Sequence, residues 1–434
     1  MEIPLHDILN AREARVRRQE ALLAEHGGVL VCFTMNIAGP VKHSSLIEAG
    51  FRLGQAQILK IFSPLHSLCV VEPTGCEGYY VLRGDPLEIK QKTTLLEDCT
   101  PAGRLFDMDV LTVSGKVSRE QVGLAPRKCL LCDGDARVCG RSRAHSVGAL
   151  QAETKRLLQE AISGQIGTLA EESLRLEVLT TPKPGLVDQN NCGSHKDMDL
   201  PMFLASAQAL KPYFTDCARI GMETTDLPPE ETFSRLRTAG LAAEQAMFAV
   251  TGGVNTHKGA IFTLGLLCGA AGRTLNWKPE SLLTEVQAMA KGLTERDLVP
   301  ITEQTAHTTG QRLFAAHGIA GVRGQAEAGF PGVLQTGLPV LEAGLAQGLD
   351  LNDAGCAALL HILAATDDTN MIARSNLATA TAMRAQIAKL LTDNPYPSEA
   401  TLHQLDREFR EKNLSPGGSA DLLAATYFLH LLNT

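Results

Sequence analysis

Long uninterrupted apolar runs are absent from this 434-residue sequence. No stretch approaches the roughly 18 consecutive apolar residues that a helix needs to cross a bilayer, which excludes a membrane-spanning helix. Residues 1–25 carry four arginines and five carboxylates, with no apolar segment followed by small residues. We therefore expect neither a secretory signal in this stretch nor a membrane partner.

Aromatic residues and excess positive charge are also scarce. Aromatics make up 4% of the chain, and the formal net charge is −8. A negatively charged chain has little general affinity for a phosphate backbone, so nucleic acid is not expected as a partner. The 11 cysteines are an odd number, which does not suit a framework of disulfides. Together with the lack of a secretory signal, this predicts a reduced protein of the cytoplasm.

Length and periodicity divide the chain into two domains, because 434 residues exceed what one hydrophobic core usually supports. Residues 1–163 mix amphipathic helical stretches with short apolar strands. The strands are predicted at 28–35, 65–71, 79–82 and 105–113. The helical pattern breaks at Ser163-Gly164, and residues 164–434 then show helical periodicity almost throughout. The helices predicted there include 302–316 and 371–392. We predict an N-terminal α/β domain of the α+β kind, followed by an all-α domain.

Two carboxylates lie on one predicted strand, in the run Arg104-Leu-Phe-Asp-Met-Asp-Val110. Side chains alternate across a strand, so Asp107 and Asp109 share a face opposite an apolar one. Acids about 7 Å apart along a strand can hold magnesium, which clamps phosphoryl oxygens during in-line displacement. The alternative is a strand with two solvated acids at a sheet edge, and the spacing alone favours that alternative.

The segment 127–145 is rich in cysteine and arginine. Its potential metal ligands follow a C-x2-C-x6-C-x5-H pattern and are Cys129, Cys132, Cys139 and His145. Three thiolates and one imidazole would complete a tetrahedral zinc site. Its arginines, which suit phosphate because their guanidinium groups are planar forks, include Arg127, Arg137 and Arg141. Two interpretations stay open, zinc binding or cysteines that pack a turn while the arginines bind, and the sequence alone favours the second.

A turn after the first strand, Asn36-Ile-Ala-Gly-Pro-Val-Lys42, offers a lysine that could reach a phosphate. Taken alone, it is better explained as an ordinary strand exit. Together with Glu72-Pro-Thr-Gly75, 103–110 and 127–145, however, it resembles the holo-citrate-lyase synthase family over about 20–155. The resemblance implies a nucleotidyltransferase-like domain that transfers a phosphoribosyl-dephospho-coenzyme-A arm to a serine of the citrate lyase acyl carrier protein, its γ subunit. Pyrophosphate would leave in this reaction.

That resemblance also implies roles for individual residues. Asp107 and Asp109 would hold Mg²⁺. The cations that would neutralise pyrophosphate or bind the cofactor arm are Lys42, Arg104, Arg127, Arg137 and Arg141.

A polar loop at 179–198 interrupts the helical domain. Pro182 and Pro184 stop a helix, and the glycines permit tight turns. Its candidate site residues are Lys183, Asp188, Asn191, His195 and Asp197. We predict that they converge on a metal ion or a triphosphate. A helix connection with capping residues is the alternative, although about 20 residues is long for a featureless loop.

A second loop, Thr251-Gly-Gly-Val-Asn-Thr-His-Lys-Gly259, precedes an apolar helix. Glycines before a helix N-terminus form an anion site, because backbone N–H groups there point at phosphate. The candidate residues are Gly252, Gly253, Asn255, Thr256, His257 and Lys258. The spacing is not that of a P-loop, and a simple capping turn is the alternative.

Two further loops carry candidate residues. Asp367 and Asp368 are placed at the end of an apolar helix, where carboxylates are unfavourable, so a metal ion or Arg374 is expected to compensate. Capping by local hydrogen bonds is the alternative. The last loop, 415–421, opens a helix with Gly417 and Gly418, and functional and structural interpretations of it are equally supported.

These loops resemble the triphosphoribosyl-dephospho-coenzyme-A synthase family over about 165–434. The matching residues are Pro182–Asp188, Asn191–Met198, Gly252–Gly259, Asp368-Thr-Asn370 with Arg374, and Asn413–Gly418 with Asp421. The resemblance implies that ATP reacts with 3′-dephospho-coenzyme A. The adenosine 2′-hydroxyl of the latter attacks the anomeric carbon of the ATP ribose, adenine leaves, and the triphosphate stays on the product.

Such a reaction needs cations for the triphosphate, an acceptor for the hydroxyl proton, and negative charge near an oxocarbenium-like ribose. We expect Asp188 and Asp197 near metal or ribose, and Asn255, His257 and Lys258 at the triphosphate. Which residue is the base stays open. Two alternatives also remain, the same chemistry for a malonate decarboxylase carrier, or a non-catalytic module that binds zinc and nucleotide.

Overall fold

The protein is described by a computed structural model covering residues 3–434. It divides into two compact units, one that ends at Ile162 and one that runs from Ser163 to Thr434. The first unit combines an antiparallel sheet with helices, and the second is built from helices. The prediction of an α+β region followed by a helical region is confirmed at this level. Within residues 3–434, no helix is both long enough and apolar enough to span a membrane.

A five-stranded sheet organises the first unit. Its strands are β1 Val29–Met35, β2 His66–Glu72, β3 Gly75–Leu82, β4 Phe106–Thr112 and β5 Gly115–Val117. Their order across the sheet is β2-β3-β1-β4-β5, and every neighbouring pair is antiparallel. The helices of this unit are α1 Leu5–His26, α2 Ser45–Ile61, α3 Pro86–Cys99 and α4 Ala136–Ser142.

Helices cover both faces of this sheet. Phe33 of β1 and Met108 of β4 are opposite each other in the register and are fully buried with apolar residues of α2 and α3. On the other face Leu30 and Cys32 pack beneath Leu22 of α1. Each such side chain contributes about 1.5–3 kcal/mol relative to an exposed position. This packing fixes the faces of β4, so that Asp107 and Asp109 lie on the α1 side.

The second unit is a bundle of helices. It begins with the part of α5 (Val147–Leu179) that follows Ile162. The other helices are α6 Leu200–Glu223, α7 Pro229–Thr251, α8 Lys258–Thr274, α9 Pro279–Met289, α10 Leu293–Asp297, α11 Thr309–His317, α12 Gly321–Glu327, α13 Leu338–Ala346, α14 Leu351–Ala365, α15 Thr369–Arg374, α16 Leu377–Asp393, α17 Glu399–Glu411 and α18 Gly417–Asn433. A π-helical turn, Gly332–Gly337, precedes α13.

The helix α8 lies at the centre of the bundle. It is buried on nearly every side from Ala260 to Gly272, as expected for a helix that is apolar all round. Its glycines allow close packing against α6, since a Cβ on Gly221 would lie 2.1 Å from the Gly269 carbonyl oxygen. A rigid central helix therefore fixes the position of its own N-terminus.

Three sequence-based boundaries in the helical region are wrong. The helix break predicted at Ser163-Gly164 does not occur, because α5, which is 33 residues long, continues through it. The two compact units nevertheless divide beside this position, between Ile162 and Ser163. A Cβ on Gly167 would lie 2.1 Å from Thr215 Oγ1, so at least this glycine of the region serves helix packing.

The helix predicted at 371–392 is divided instead into α15 and α16, because Asn376 caps the latter by accepting from the Thr379 N–H. The helix predicted at 302–316 begins at Thr309, where Thr308 and Gln311 form a capping box.

Candidate active sites

A cavity of about 640 Å³ lies in the second unit. Its volume is within the range of about 300–1,000 Å³ that small-molecule sites occupy. All four of the loops selected from the sequence contribute to it. The selected residues that line it are Lys183, His195, Asn255, Thr256, His257, Lys258, Asp368, Asn370, Arg374, Gly417 and Gly418.

The first turns of two long helices, α8 and α18, line this cavity. Both helices are 17 residues long, so each carries a partial positive charge at this end. Some first-turn N–H groups are already bonded, since Lys258 donates to Asn255 and Ser419 donates to Asp368. The two N-termini are in contact, because a Cβ on Gly259 of α8 would lie 1.9 Å from Asp421 Oδ2 of α18. The cavity is therefore suited to bind an anion.

The His257 side chain is buried at 3% exposure with one ring nitrogen unpaired. Thr256 Oγ1 donates to Ser206 Oγ at 2.8 Å, and Ser206 Oγ lies 2.8 Å from His257 Nδ1. Because Ser206 accepts from Thr256, its own hydrogen is available to Nδ1, and a neutral imidazole then carries its proton on Nε2. That Nε2 has no partner within residues 3–434.

The charge state of His257 follows from its surroundings. Burial, and then the positive charge of Lys183, lower the pKa of His257 to about 3. The Phe203 ring packs edge-on against it, with ring centroids 5.0 Å apart. At neutral pH His257 is thus an uncharged donor to any ligand in the cavity that it lines.

Three carboxylates lie around the same cavity. Those of Glu177 and Asp368 are buried, and that of Asp421 is partly buried. Glu177 forms an ion pair with the buried Lys183. Burial, and then the charges of Glu177 and Asp368, raise the pKa of Asp421 well above its usual value. Within residues 3–434 Asp421 forms no ion pair. The Ala260 N–H donates to its carboxylate, but a desolvated carboxylate still needs a counter-charge.

Asp368 does not end a helix as expected. It is the N-cap of α15, and its Oδ1 accepts from Asn370 and Met371 N–H groups at 3.0 Å each. Its Oδ2 accepts from the Ser419 N–H and Oγ at 2.7 and 2.9 Å. The carboxylate joins α15 to the start of α18, so little capacity remains for a metal ion.

His195 lies at one side of the cavity with its Nε2 2.8 Å from Ser415 Oγ. Burial, and then the positive charge of Arg374, lower the pKa of His195. Arg374 donates to the carbonyl oxygens of Ser194 and Asn413. Arg374 therefore fixes the backbone beside His195.

Five selected residues do not line the cavity, namely Asp188, Asn191, Asp197, Gly252 and Gly253. Asp188 accepts from the N–H groups of Lys183, Asn190 and Asn191 at 2.8–3.0 Å, and so shapes its own loop. Asp197 is exposed. Both glycines have positive φ at the end of α7, where a left-handed conformation is typical of glycine.

Two of the residues that do line it also have structural roles. Asn255 Oδ1 accepts from the Lys258 N–H at 3.1 Å. Lys258 Nζ pairs with Glu244 at 2.7 Å. Both side chains therefore already have partners within the protein.

The sequence analysis gave no role in this site to four residues, which are Glu177, Ser206, Gly259 and Asp421. Glu177 and Ser206 lie in helices, where nothing distinguishes them from ordinary polar residues. Gly259 and Asp421 belong to the recognised loops and were quoted with the matching segments, but neither was given a role.

A smaller cavity of about 150 Å³ lies in the first unit beside β4. Asp107 and Lys42 both line it, together with Arg12 and Arg15 of α1. The Asp107 side chain is exposed, but partial loss of hydration, and then the Asp109 carboxylate, raise the pKa of Asp107. Burial, and then the charge of Arg12, lower the pKa of Lys42. The structure thus brings together an acid and a lysine that are far apart in the sequence.

The other predicted residues of the first unit have different surroundings. Asp109 pairs with Lys116 of β5. Arg104 donates to the Cys129 carbonyl, and Arg127 donates to the Gly103 and Phe106 carbonyls, so both hold backbone in place. Arg137 and Arg141 are exposed on α4.

The cysteine-rich segment brings its four potential ligands together. One ligand atom each from Cys129, Cys132, Cys139 and His145 lies within 4.8 Å of the others. Burial acts to raise the pKa of Cys129, but hydrogen bonds from the backbone at 131 and 132 outweigh it and lower the pKa to about 7.

Comparison with known families agrees with this division of the chain. The family described as "CitX: Apo-citrate lyase phosphoribosyl-dephospho-CoA transferase" matches residues 3–161. The family described as "CitG: ATP:dephospho-CoA triphosphoribosyl transferase" matches residues 163–434.

Similar proteins contain both regions in the same order. "Protein CitXG" of Haemophilus influenzae is 38% identical over 98% of this chain and 96% of its own length. "Protein CitXG" of Leuconostoc mesenteroides is 35% identical over the same shares. The "2-(5''-triphosphoribosyl)-3'-dephosphocoenzyme-A synthase" of Haemophilus ducreyi is 39% identical, over 70% of this chain and 99% of its own length. The chain therefore belongs to the CitXG family of transferases, in which a CitX domain precedes a CitG domain.

Proposed function

We propose that this chain makes and attaches the prosthetic group of citrate lyase. In the second unit, the 2′-hydroxyl of 3′-dephospho-coenzyme A attacks C1′ of the ATP ribose. The bond from C1′ to adenine breaks, adenine leaves, and 2′-(5″-triphosphoribosyl)-3′-dephospho-coenzyme A forms. In the first unit, a serine of the acyl carrier protein, the γ subunit, attacks the phosphate next to the new ribose, and pyrophosphate leaves.

The convergence of the α8 and α18 N-termini on one cavity carries the first part of this proposal. Backbone N–H groups at two helix starts supply donors and partial positive charge to the triphosphate. Lys183 and Lys258 line the same cavity, where they are paired with Glu177 and Glu244. Each would add its charge to the triphosphate by exchanging its glutamate for a phosphate oxygen. A triphosphate bound there would leave the ribose near the neutral His257 donor, whose Nε2–H could bond a phosphate or the departing adenine.

His195 is our candidate for the residue that accepts the proton of the attacking hydroxyl. Its lowered pKa keeps the imidazole neutral at pH 7, and a base must be in its unprotonated form. Ser415, at 2.8 Å from Nε2, orients the ring.

Mg²⁺ fits the donors of this cavity. Oxygen ligands are the ones it prefers, and it usually takes one or two carboxylates together with substrate phosphates. Asp421 and Glu177 are the carboxylates that would hold it, because Asp368 already accepts four hydrogen bonds. When bound, Mg²⁺ would offset the negative charge of the triphosphate.

For the first unit we propose a nucleotidyltransferase-like site at Asp107 and Asp109. Two observations support this assignment. Asp107 and Asp109 lie on the same face of β4, and basic residues line the small cavity beside Asp107. Lys42, Arg12 and Arg15 would neutralise charge on the phosphates, and the two acids would hold Mg²⁺. The exposed Arg137 and Arg141 would contact either pyrophosphate or an acidic carrier surface.

Mass spectrometry of the products tests both halves on one sample. The full-length protein is incubated with ATP, 3′-dephospho-coenzyme A and Mg²⁺, and apo carrier protein is then added. We expect free adenine with a triphosphoribosylated product, followed by a mass gain on the carrier serine with release of pyrophosphate.

Two variants assign each step to its unit. His257→Gln should lower adenine release about 100-fold, as expected for the loss of one well-placed donor, while it still loads the carrier from supplied intermediate. Asp107→Asn should release adenine normally and fail to load the carrier. Adenine release that is equally fast in His257→Gln would contradict the assigned site.

A further inference from the structure

The cluster of Cys129, Cys132, Cys139 and His145 has the dimensions of a metal site. A tetrahedral zinc ion with bonds of about 2.3 Å to sulfur and about 2.0 Å to nitrogen separates two sulfurs by about 3.8 Å and sulfur from nitrogen by about 3.5 Å. Here Cys132 Sγ lies 3.6 Å from Cys139 Sγ and 3.3 Å from His145 Nε2. All four ligand atoms lie within 4.8 Å of one another.

The backbone brings these ligands together although they are up to 16 positions apart in sequence. A short hairpin, closed by the Cys129 N–H bonded to the Gly134 carbonyl at 2.7 Å and by a bridge between Lys128 and Asp135, places the first two cysteines. The helix α4 then presents Cys139, and its C-terminal turn leads to His145. Gly134 leaves room beside the sulfurs, since a Cβ there would lie 3.3 Å from Cys139 Sγ.

The same segment has almost no apolar core to hold it. No residue of α4 is buried, Val138 is 63% exposed, and Leu131 is 37% exposed. A small folded segment without a core usually needs a disulfide or a metal ion. The cysteines are free thiols, so a metal ion is the remaining means of stabilisation.

We propose that Cys129, Cys132, Cys139 and His145 bind one Zn²⁺ ion in a closed structural site. Four protein ligands leave no position for water or substrate, which distinguishes such a site from a catalytic one. The site connects to β4 through backbone, because the Cys129 carbonyl accepts from Arg104. Zinc would thus order the segment that carries Arg127, Arg137 and Arg141. This inference does not depend on the proposed function.

Metal analysis of the full-length protein without an affinity tag tests the proposal. We expect one zinc per chain that persists through dialysis against a chelator. Cobalt substituted for zinc should give visible absorption bands with the intensity of a tetrahedral site and a thiolate-to-metal band in the near ultraviolet. The cobalt spectrum uses the unaltered protein and does not rely on any variant folding.

Cys132→Ser and His145→Gln should each lose zinc, with Cys69→Ser as the matched control. Cys69 is an exposed thiol of β2 in the same unit, and the Cys69→Ser variant should retain zinc. Normal adenine release by the variants would show that the second unit is intact. Three results would overturn the proposal, namely no stoichiometric zinc, zinc retained in both variants, or a disulfide between Cys132 and Cys139 in freshly prepared protein.

Discussion

Gly259 leaves the space that the Asp421 carboxylate occupies. A Cβ at this position would lie 1.9 Å from Oδ2, so Gly259→Ala must displace either the carboxylate or the start of α8. We predict at least about a 100-fold fall in kcat/KM for adenine release, since a displacement of about 1 Å can have that effect. The rate is measured with saturating and limiting ATP.

Gly164→Ala is the matched control for that substitution. A Cβ on Gly164 meets no atom within 4 Å, and alanine is favoured over glycine inside a helix by about 0.5–1 kcal/mol. The control should keep full activity with unchanged or higher stability. Similar activities for the two variants would mean that Asp421 is not needed in its observed position.

The pH dependence of adenine release tests His195 as the base. Its pKa is lowered in the folded protein, so the neutral form persists below the usual histidine range, and the rate falls only as the pH drops through this lowered pKa. The Asp197 carboxylate acts to raise that pKa. Asp197→Asn should therefore move the acid limb of the kcat/KM profile to lower pH.

Asp226→Asn is the control, because Asp226 is an equally exposed acid outside the set of charges that act on His195. Its profile should coincide with that of the unaltered protein. An acid limb that stays in place in Asp197→Asn would remove His195 from the role of base.

At the scale of elements, the loop that carries Lys183 is held by α17. Asp406 is 3% exposed and accepts from the Gly185 N–H at 3.0 Å and from Asn191 Nδ2 at 3.3 Å. Asp406→Ala leaves a buried backbone donor unpaired, which costs about 1–3 kcal/mol. We expect a lower midpoint in urea unfolding, compared with Asp393→Ala, whose side chain is exposed at the end of α16. Equal midpoints would show that the loop is held by other contacts.

The sequence predicted the strands because short apolar runs are typical of strands that are buried in a sheet. The four predicted strands correspond to β1 to β4, of which β1 and β3 are buried on both faces. The helices α2 and α3 were not predicted, although Ser44 and Asp85 cap them. Capping residues are common in loops, and only tertiary contacts with the sheet distinguish these two.

The candidate site was predictable where it depends on loops and not where it depends on helices. The glycine-rich turn before α8 indicated anion binding, and its residues from Asn255 to Gly259 line the cavity, although Gly252 and Gly253 do not. The turn before α18 was left open between a functional and a structural interpretation, and its Gly417 and Gly418 also line the cavity. Nothing in the local sequence marks Glu177 or Ser206 as a site residue. Their roles come from contacts with Lys183 and His257, which belong to other elements of the fold. The role of Asp188 in shaping its loop equally requires knowledge of the three N–H groups around it.

At the scale of the whole molecule, the two units raise the question of whether the intermediate is passed on within one chain. We propose mixing two full-length variants, Asp107→Asn and His257→Gln, each active in one step only. If transfer within one chain contributes, the mixture should load carrier protein more slowly than the unaltered protein at low enzyme concentration. When both sites belong to one chain, the effective concentration of one site near the other is about millimolar. In the mixture, the two active sites belong to different chains, so this advantage is lost.

The comparison is repeated at high enzyme concentration, where the intermediate accumulates in solution. The two preparations should then converge. Equal rates at every concentration would mean that the intermediate diffuses freely before it is used.

The continuous helix α5 has a consequence for how the chain can be cut. Domains are normally separated by an extended, exposed linker, which is where proteases cleave. Here the division after Ile162 lies within one helix of 33 residues, about 50 Å long at the usual rise per residue. Its peptide bonds must unfold before a protease can hold them. Limited digestion should therefore attack surface loops first, and shorter versions of this protein should not begin or end inside α5.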